Sequence, residues 1–420
     1  MKKLLFITTA NLSTNPRLYK ELKLAKNLGY KVTFVAFRQG GWSDEKDKLL
    51  INELEETGHY LSALRRPFLP WLISSIVNKI SIWMWPFFKE NLLIAAYAHN
   101  KRSYLLHHYL KKHHGVYDLV IGHNLGSLYP VYRFAKRKNI PFAFDVEDYH
   151  PGEASAYEIR GEVERRKFLL ANLLPKSVYF SYASPLIGKY TNNLMKSSLF
   201  SHRLLINNTF PIEEFSFPSS MEGKIKLVWF SQTISFGRGL ELIIPVLSLF
   251  RKEISLNLIG NLNKDFYDKW IKPNEDYTSV CEPLLLKDLL KILSEYDVGL
   301  ALEPGKDENN LIALSNKIWT YLQSGLYIFA TDTPAQKIFM DEFPSHGMII
   351  RQDPESFRTA LEHIIQHKDE IRKSAPRRYE KAQRVAWEVE SKKLQNIWQE
   401  ILTDGSFSSA STHETSRIKF

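Results

Sequence analysis

The sequence holds one cysteine in 420 residues, Cys281. No intramolecular disulfide can brace the chain, and a reducing compartment is allowed. No His/Cys cluster has metal-ligand spacing: His107-His108 and His113-His114 are adjacent pairs, and neighbours on a helix point in different directions. There is no zinc finger, RNP motif or compact basic arm, so nucleic acid is not expected as a partner. No apolar run reaches the roughly 20 unbroken residues that a membrane-crossing helix needs. The opening Met1-Lys2-Lys3-Leu4-Leu5-Phe6 lacks the long apolar region of a signal peptide and reads as a buried strand.

What is present is globular. Hydrophobic residues make up 44% and charged residues 24%, and the length is enough for two domains, each with its own core. The net charge of +10 favours anionic partners, among them anionic lipid and phosphorylated substrates.

Continuous apolar runs at Leu4–Ile7, Val32–Val35, Asp118–Ile121 and Pro141–Phe144 predict parallel strands covered on both faces. Between the first two, Asn15 suits an N-cap, Pro16 the first turn and Gly29 a helix stop, which makes a βαβ unit. The pattern restarts after residue 222, with strands at Leu227–Phe230, Leu256–Ile259, Val298–Ala301 and Tyr327–Ala330. The reading is an α/β chain of two Rossmann-like, doubly wound domains facing a central cleft. Residues 1–208 form the first domain, 209–223 a Pro- and Ser-rich linker and 224–375 the second domain. A helix over 376–403 crosses back to the first domain, and 404–420 is a disordered tail.

Loops at strand ends carry the candidate chemistry. The first, Thr8 to Arg17, has no G-x-G-x-x-G; Thr14, Asn15 and Arg17 offer a hydroxyl, a helix start and a cation suited to an anion, or else a capped helix with a surface arginine. Its counterpart in the second half contains Gly237-Arg238-Gly239, where Arg238 could clamp a diphosphate bidentately or else stand solvated beside a turn. A third feature, Ser315-Asn316-Lys317, presents a helix N-terminus and a point charge; its alternative is a plain capped amphipathic helix. Asp145, Glu147 and Asp148 crowd the end of one strand, where like charges raise one another's pKa; Glu147 or Asp148 is the candidate proton carrier. His123, at the end of a neighbouring strand, reads either as a substrate ligand or as a hydrogen-bonded structural histidine.

In this order, the Thr14-Asn15-Pro16-Arg17 helix, His123-Asn124, Phe144 to Asp148, Gly237-Arg238-Gly239, Ser315-Asn316-Lys317 with Gly325, and Trp387-Glu388 resemble retaining nucleotide-sugar glycosyltransferases of the GT-B fold, close to glycosyltransferase family four. The resemblance covers nearly the whole chain. It implies a metal-independent hexosyltransferase acting in bacterial surface polysaccharide or glycolipid synthesis. The donor is then a nucleotide-sugar co-substrate held by the second domain, with no cofactor, and the acceptor a glycan or lipid-linked hydroxyl received by the first. Arg238 matches the basic diphosphate contact, with Gly237, Gly239, Asn316 and Lys317 around it. Glu147 falls where the family often has a catalytic histidine. Gln232 replaces a usual arginine, and the family's Glu-x7-Glu pair falls at Ile312 and Thr320, neither acidic. Thr320 or another residue must then hold the ribose, and Glu303, Asn309 and Asn310, in a polar loop after a strand, could read sugar hydroxyls or belong to a plain surface loop. Two rivals stand beside this reading: a nucleotide-sugar epimerase, and a non-catalytic membrane-associated binding subunit of a polysaccharide assembly complex.

Residues 65–94 are rich in Trp, Phe and Ile, broken by Pro70, Asn78, Lys79 and Pro86. They read either as an interfacial segment touching an anionic membrane or as helices packed on the sheet. The expected location is cytoplasmic, with peripheral contact on the inner face of the plasma membrane as the first option would have it.

Overall fold

The computed structural model describes residues 1–54, 57–154, 161–195, 202–219 and 222–404. The expected tail lies outside these residues beyond Asp404, as do linker residues 220 and 221. The chain divides into two compact units, one of Met1–Ile206 with the chain from Ser391 onward, the other of Asn207–Glu390.

The first unit is built on seven strands: β1 (Lys3–Thr8), β2 (Lys31–Arg38), β3 (Thr57–Ser62), β4 (Leu119–His123), β5 (Phe142–Val146), β6 (Tyr179–Tyr182) and β7 (His202–Leu205). They pair in parallel in the order β3-β2-β1-β4-β5-β6-β7. The order reverses at β1 and β4, and in open α/β sheets the crevice at such a switch point, outside the carboxyl ends of the strands, takes ligands. Register places Thr8 beside His123, His123 beside Asp145 and Asp145 beside Ser181. Polar residues therefore line up at the ends of four adjacent strands, while the apolar run behind them is fully buried.

The second unit repeats the plan with β8 (Ile225–Ile234), β9 (Ile254–Leu262), β10 (Thr278–Cys281), β11 (Val298–Ala301), β12 (Tyr327–Thr331) and β13 (Gly347–Ile350), in the order β10-β9-β8-β11-β12-β13. Its switch point lies between β8 and β11, over a core that includes Trp229, Leu258, Leu300 and Phe329.

The Pro- and Ser-rich stretch is packed at its start: Phe210 and Phe215 are buried with Leu290, and Gln323 holds the Phe210 backbone at both ends, N–H to Oε1 at 2.9 Å and Nε2 to O at 2.7 Å. The single helix expected over 376–403 is two, Ala375–Ala382 and Trp387–Asp404, separated by a turn at Gln383–Val385. The second of these helices buries Trp398 against the first sheet, edge-on to Phe6 at 6.1 Å and donating its indole N–H to the Tyr179 hydroxyl at 2.8 Å. A buried indole that finds a partner in this way anchors its helix.

Candidate functional site

In the first unit the helix Pro16–Asn27 starts as its sequence dictates: the Asn15 side chain accepts from the Leu18 N–H at 3.0 Å, and Pro16 occupies the first turn. This helix turns Arg17 and Glu21, one turn apart, onto the sheet, where both are buried. The Arg17 guanidinium donates to both oxygens of Asp145, at 2.7 and 2.8 Å, and to the Ile206 carbonyl at 2.6 Å. His123 sits between two acids, Nε2 at 3.3 Å from Glu21 and Nδ1 at 3.6 Å from Asp145. Ser181 donates to Asp145 as well.

The electrostatics follow from this geometry. Burial works against the imidazolium, yet Glu21 and Asp145 outweigh it and push His123 up to about 10. Burial would also raise Asp145, but Arg17 and His123 hold it well below the usual carboxylate range. Burial opposes the Arg17 charge too, and Asp145 more than restores it. Among the described residues Glu21, His123 and Asp145 are the one grouping compact enough to suggest a metal. Their arrangement argues against it: the two carboxylates face different ring nitrogens, the ring is cationic, and Arg17 already occupies Asp145.

Two expectations are corrected here. Arg17 is not an anion ligand; its guanidinium is enclosed and fully engaged inside the unit. His123 is not a substrate ligand either; it is completely buried and clasped by carboxylates. Asn15 serves as the cap, and exposed Thr14 donates to the Asn11 side chain. Glu147 and Asp148, just past β5, remain half-buried at the strand ends. Burial, reinforced by Asp148 and Asp145, pushes Glu147 up to about 7. The turn that follows is pinned by Arg166, which donates to the His150 carbonyl at 2.6 Å.

In the second unit, β8 runs into the loop of Gly237, Arg238 and Gly239. Both glycines have positive φ, 71° and 84°, and a Cβ on Gly239 would stand 3.2 Å from the Leu302 Cβ. The loop therefore lies against the end of β11. Arg238 is exposed, with no ion pair or hydrogen bond among the described residues. The Gly237 N–H is already taken by the Glu241 carboxylate, so this amide is not open to a diphosphate as expected.

Directly after β11, Glu303 is buried and central. One oxygen faces Lys317 Nζ at 3.2 Å, and the other accepts from Asn310 Nδ2 at 2.7 Å. Asn310 Oδ1 in turn accepts from the Gly305 N–H at 2.6 Å. Burial would raise Glu303, but the Lys317 charge and the hydrogen bonds to the carboxylate together outweigh it, and the carboxyl lies below its usual range. Lys317 also stands over the Trp229 ring at 5.9 Å. It belongs to the helix Asn316–Gln323, whose N-cap Ser315 makes no side-chain capping bond, so no cap occupies its first-turn amides. The structure thus gathers Glu303, Asn310, Lys317 and Asn316 beside the Arg238 loop. Asn309 stands in the helix Glu308–Ile312, where its carbonyl accepts from the Ala313 N–H at 2.8 Å. Thr320 is not placed to hold a ribose: it is buried, and its hydroxyl donates to the Asn316 carbonyl of its own helix at 2.6 Å.

Glu21 and Trp229 are the members of these two clusters that the sequence reading left out. The signal for Glu21 was an acid four residues after Arg17 on the face that a covered helix turns inward; Trp229 looked like ordinary strand core.

No protein-family model matches the sequence, and no curated protein matches it significantly. Solved structures do. Anabaena HepE in complex with UDP superposes with a TM-score of 0.65 at 12% identity, over 95% of this chain and 100% of that one. Sucrose-phosphate synthase from Thermosynechococcus elongatus gives 0.66 at 12%, over 96% and 99%. A variant of S. aureus TarM in complex with fondaparinux, alpha-GlcNAc-glycerol and UDP gives 0.66 at 12%, over 96% and 100%. Likeness at this identity shows the fold: the chain has the GT-B architecture of two Rossmann-like, parallel-sheet domains.

Proposed function

We propose that the chain is a glycosyltransferase that moves a sugar from a nucleotide-sugar donor to a hydroxyl of a glycan or lipid-linked acceptor. One observation carries the reading: at the switch point of the second sheet, an uncapped helix start and Lys317 stand beside a glycine loop bearing the exposed Arg238. That combination suits a diphosphate. Neighbours of the same fold captured with UDP support it.

In this reading the diphosphate leaves with its developing charge met by Arg238, by Lys317 and by the amides at Asn316, a preorganised electrostatic term that is usually large. These cations supply the charge a metal would otherwise bring, and no cofactor takes part. Glu303 positions Lys317 and, with Asn310, shapes the sugar side. Glu147, which holds or releases a proton near neutral pH, accepts the proton of the acceptor hydroxyl, with Asp148 keeping its affinity for that proton high. Retention of configuration, a role in bacterial surface polysaccharide or glycolipid synthesis, and a cytoplasmic site of action complete the proposal, on the resemblance of the sequence. Peripheral contact with an anionic membrane through residues 65–94 would bring a lipid-linked acceptor within reach.

Calorimetry with UDP, GDP and ADP tests the donor half, and nucleotide release from donor sugars with and without acceptor tests the transfer half. Arg238→Ala is expected to weaken binding and slow release together; unchanged turnover would remove Arg238 from the mechanism. Nucleotide binding with no release under any donor and acceptor would favour the binding-subunit reading, for which the missing ribose carboxylate at Thr320 speaks. Conversion of donor without acceptor would favour the epimerase.

A further inference from the structure

The helix Phe68–Met84 is amphipathic the wrong way round. Ser74 and Ser81 are buried, and Asn78 between them donates its amide to the Tyr97 and Ala98 carbonyls at 2.6 and 3.2 Å, in the last turn of the helix Leu92–His99. Its polar row is thus turned into the protein. The opposite row, Leu69, Ile73, Ile76, Ile80 and Trp83, continued by Phe87 in the turn beyond, is turned outward, each side chain between 45% and 71% exposed. The spacings alternate four and three residues, which is one continuous helical stripe. Single exposed apolar side chains are ordinary, but six in one line are not.

The segment that carries the stripe is basic, with Glu90 just beyond it and Glu164 beside Lys89. From Thr57 to Lys89 the sequence carries Arg65, Arg66, Lys79 and Lys89 and no acidic residue. Lys89 shares its charge with Glu164 at 3.4 Å, while Arg65, Arg66 and Lys79 are exposed. On the flank of the helix, Trp71 lies between the Arg65 guanidinium at 5.8 Å and Lys101 at 5.6 Å. Aromatic rings among cations, beside an apolar face, match the boundary between lipid headgroups and acyl chains. No helix among the described residues is long and apolar enough to cross a membrane. This one has 17 residues, roughly 25 Å against a hydrocarbon core of about 30 Å.

We propose that this face is a docking surface for an anionic lipid bilayer: the helix lies flat in the interface, with its outward row in the acyl boundary and Arg65, Arg66 and Lys79 on acidic headgroups. A second copy of the chain fits the face poorly, because a two-fold contact would bring these cations against their own equivalents. The docking stands on this geometry; its consequence, that the acceptor hydroxyl is carried by a lipid, rests on the transferase reading above.

Co-sedimentation of the full chain with vesicles of phosphatidylcholine, alone or mixed with phosphatidylglycerol, tests the face, with UDP, GDP and ADP binding measured on the same preparations. The expected result is binding to the mixed vesicles at least about tenfold stronger than to the neutral ones, weakened by salt. Ile76→Glu with Ile80→Glu is expected to cost about tenfold or more, and Trp83→Ser, a milder change, to weaken binding measurably. Failure of the unsubstituted protein to bind mixed vesicles, or unchanged binding by both variants, would overturn the proposal. So would a dimer in light scattering that the Ile76→Glu/Ile80→Glu variant abolishes, since the face would then be a self-contact. Vesicle binding without nucleotide binding supports the docking face and removes the transferase reading; nucleotide binding without vesicle binding does the reverse.

Discussion

Arg17 grips both carboxylate oxygens of Asp145, at 2.7 and 2.8 Å, across 128 residues of sequence. Its third bond, to the Ile206 carbonyl, reaches the last residue before the chain leaves the first unit. With Glu21 and His123 this makes a closed set of two basic and two acidic side chains under the switch point of the first sheet. It leaves Glu147 and Asp148, two and three residues beyond Asp145, as the half-buried carboxyls at that edge.

The first prediction concerns that pair. Asp145→Asn keeps the shape but leaves the Arg17 charge buried without its counter-ion, which costs about 3–5 kcal/mol. Replacing both partners by apolar residues of similar size, Arg17→Met with Asp145→Leu, recovers much of the loss. Urea unfolding of the single and double variants checks this; equal losses in both would mean that the pair is not the fastening.

The second concerns pH. His123 is raised from an ordinary value of about 6.5 to about 10. A raised pKa means that the folded state binds the proton more tightly, so its stabilisation is complete below about 6.5 and is lost as pH climbs toward 10. Asp145 is lowered, so its contribution is present above the ordinary carboxylate range and is lost only as pH falls below it. Melting temperature is therefore expected to fall from pH 7 to 10, and His123→Gln to flatten that slope. A slope identical in the variant would assign it to other groups.

How much of this was legible beforehand differs between backbone and side chains. The central strands, β1, β2, β4, β5, β8, β9, β11 and β12, announced themselves as continuous apolar runs because both of their faces are covered. The edge strands β3, β7, β10 and β13, and short β6, are mixed in composition (Thr57–Ser62 contains Gly58 and His59), so period and hydrophobicity said little. Asn15 and Pro16 fixed a helix start from sequence alone because capping is local. What Arg17 does was not local. An arginine at a helix start facing a switch point reads as an anion ligand, and only the register of β4 and β5 shows that Asp145 had already claimed it.

The third prediction separates a local bond from a ligand contact. The Thr320 hydroxyl serves the Asn316 carbonyl in its own helix. Thr320→Val is expected to cost on the order of 1 kcal/mol of stability or less and to leave UDP affinity unchanged. A marked loss of affinity in calorimetry would return Thr320 to the ribose.

The fourth concerns Glu147, raised to about 7 by burial and by Asp148 and Asp145. As the proton acceptor it must be ionised, so turnover is expected to rise with pH through about 7. Glu147→Gln should remove that limb and lower kcat by roughly 100-fold or more with donor KM little changed. A variant that keeps the limb would place the titration elsewhere.

The last prediction tests whether Lys317 is a ligand or only a partner of Glu303, 3.2 Å away, with both side chains largely buried at 17% and 10% exposure. Removing the lysine alone cannot decide, because Lys317→Met strands a buried carboxylate and costs about 3–5 kcal/mol whatever else Lys317 does. Glu303→Gln added to it removes the stranded charge while an amide oxygen can still accept from Asn310. The double variant is therefore expected to regain most of the stability. Affinity for UDP should not return with it: a charge-assisted contact to a diphosphate is worth about 1.5–3 kcal/mol, or roughly 10- to 100-fold in Kd. If stability and UDP affinity recover together, the pair is a fastening of the helix Asn316–Gln323, and the diphosphate is left to Arg238 and the helix amides.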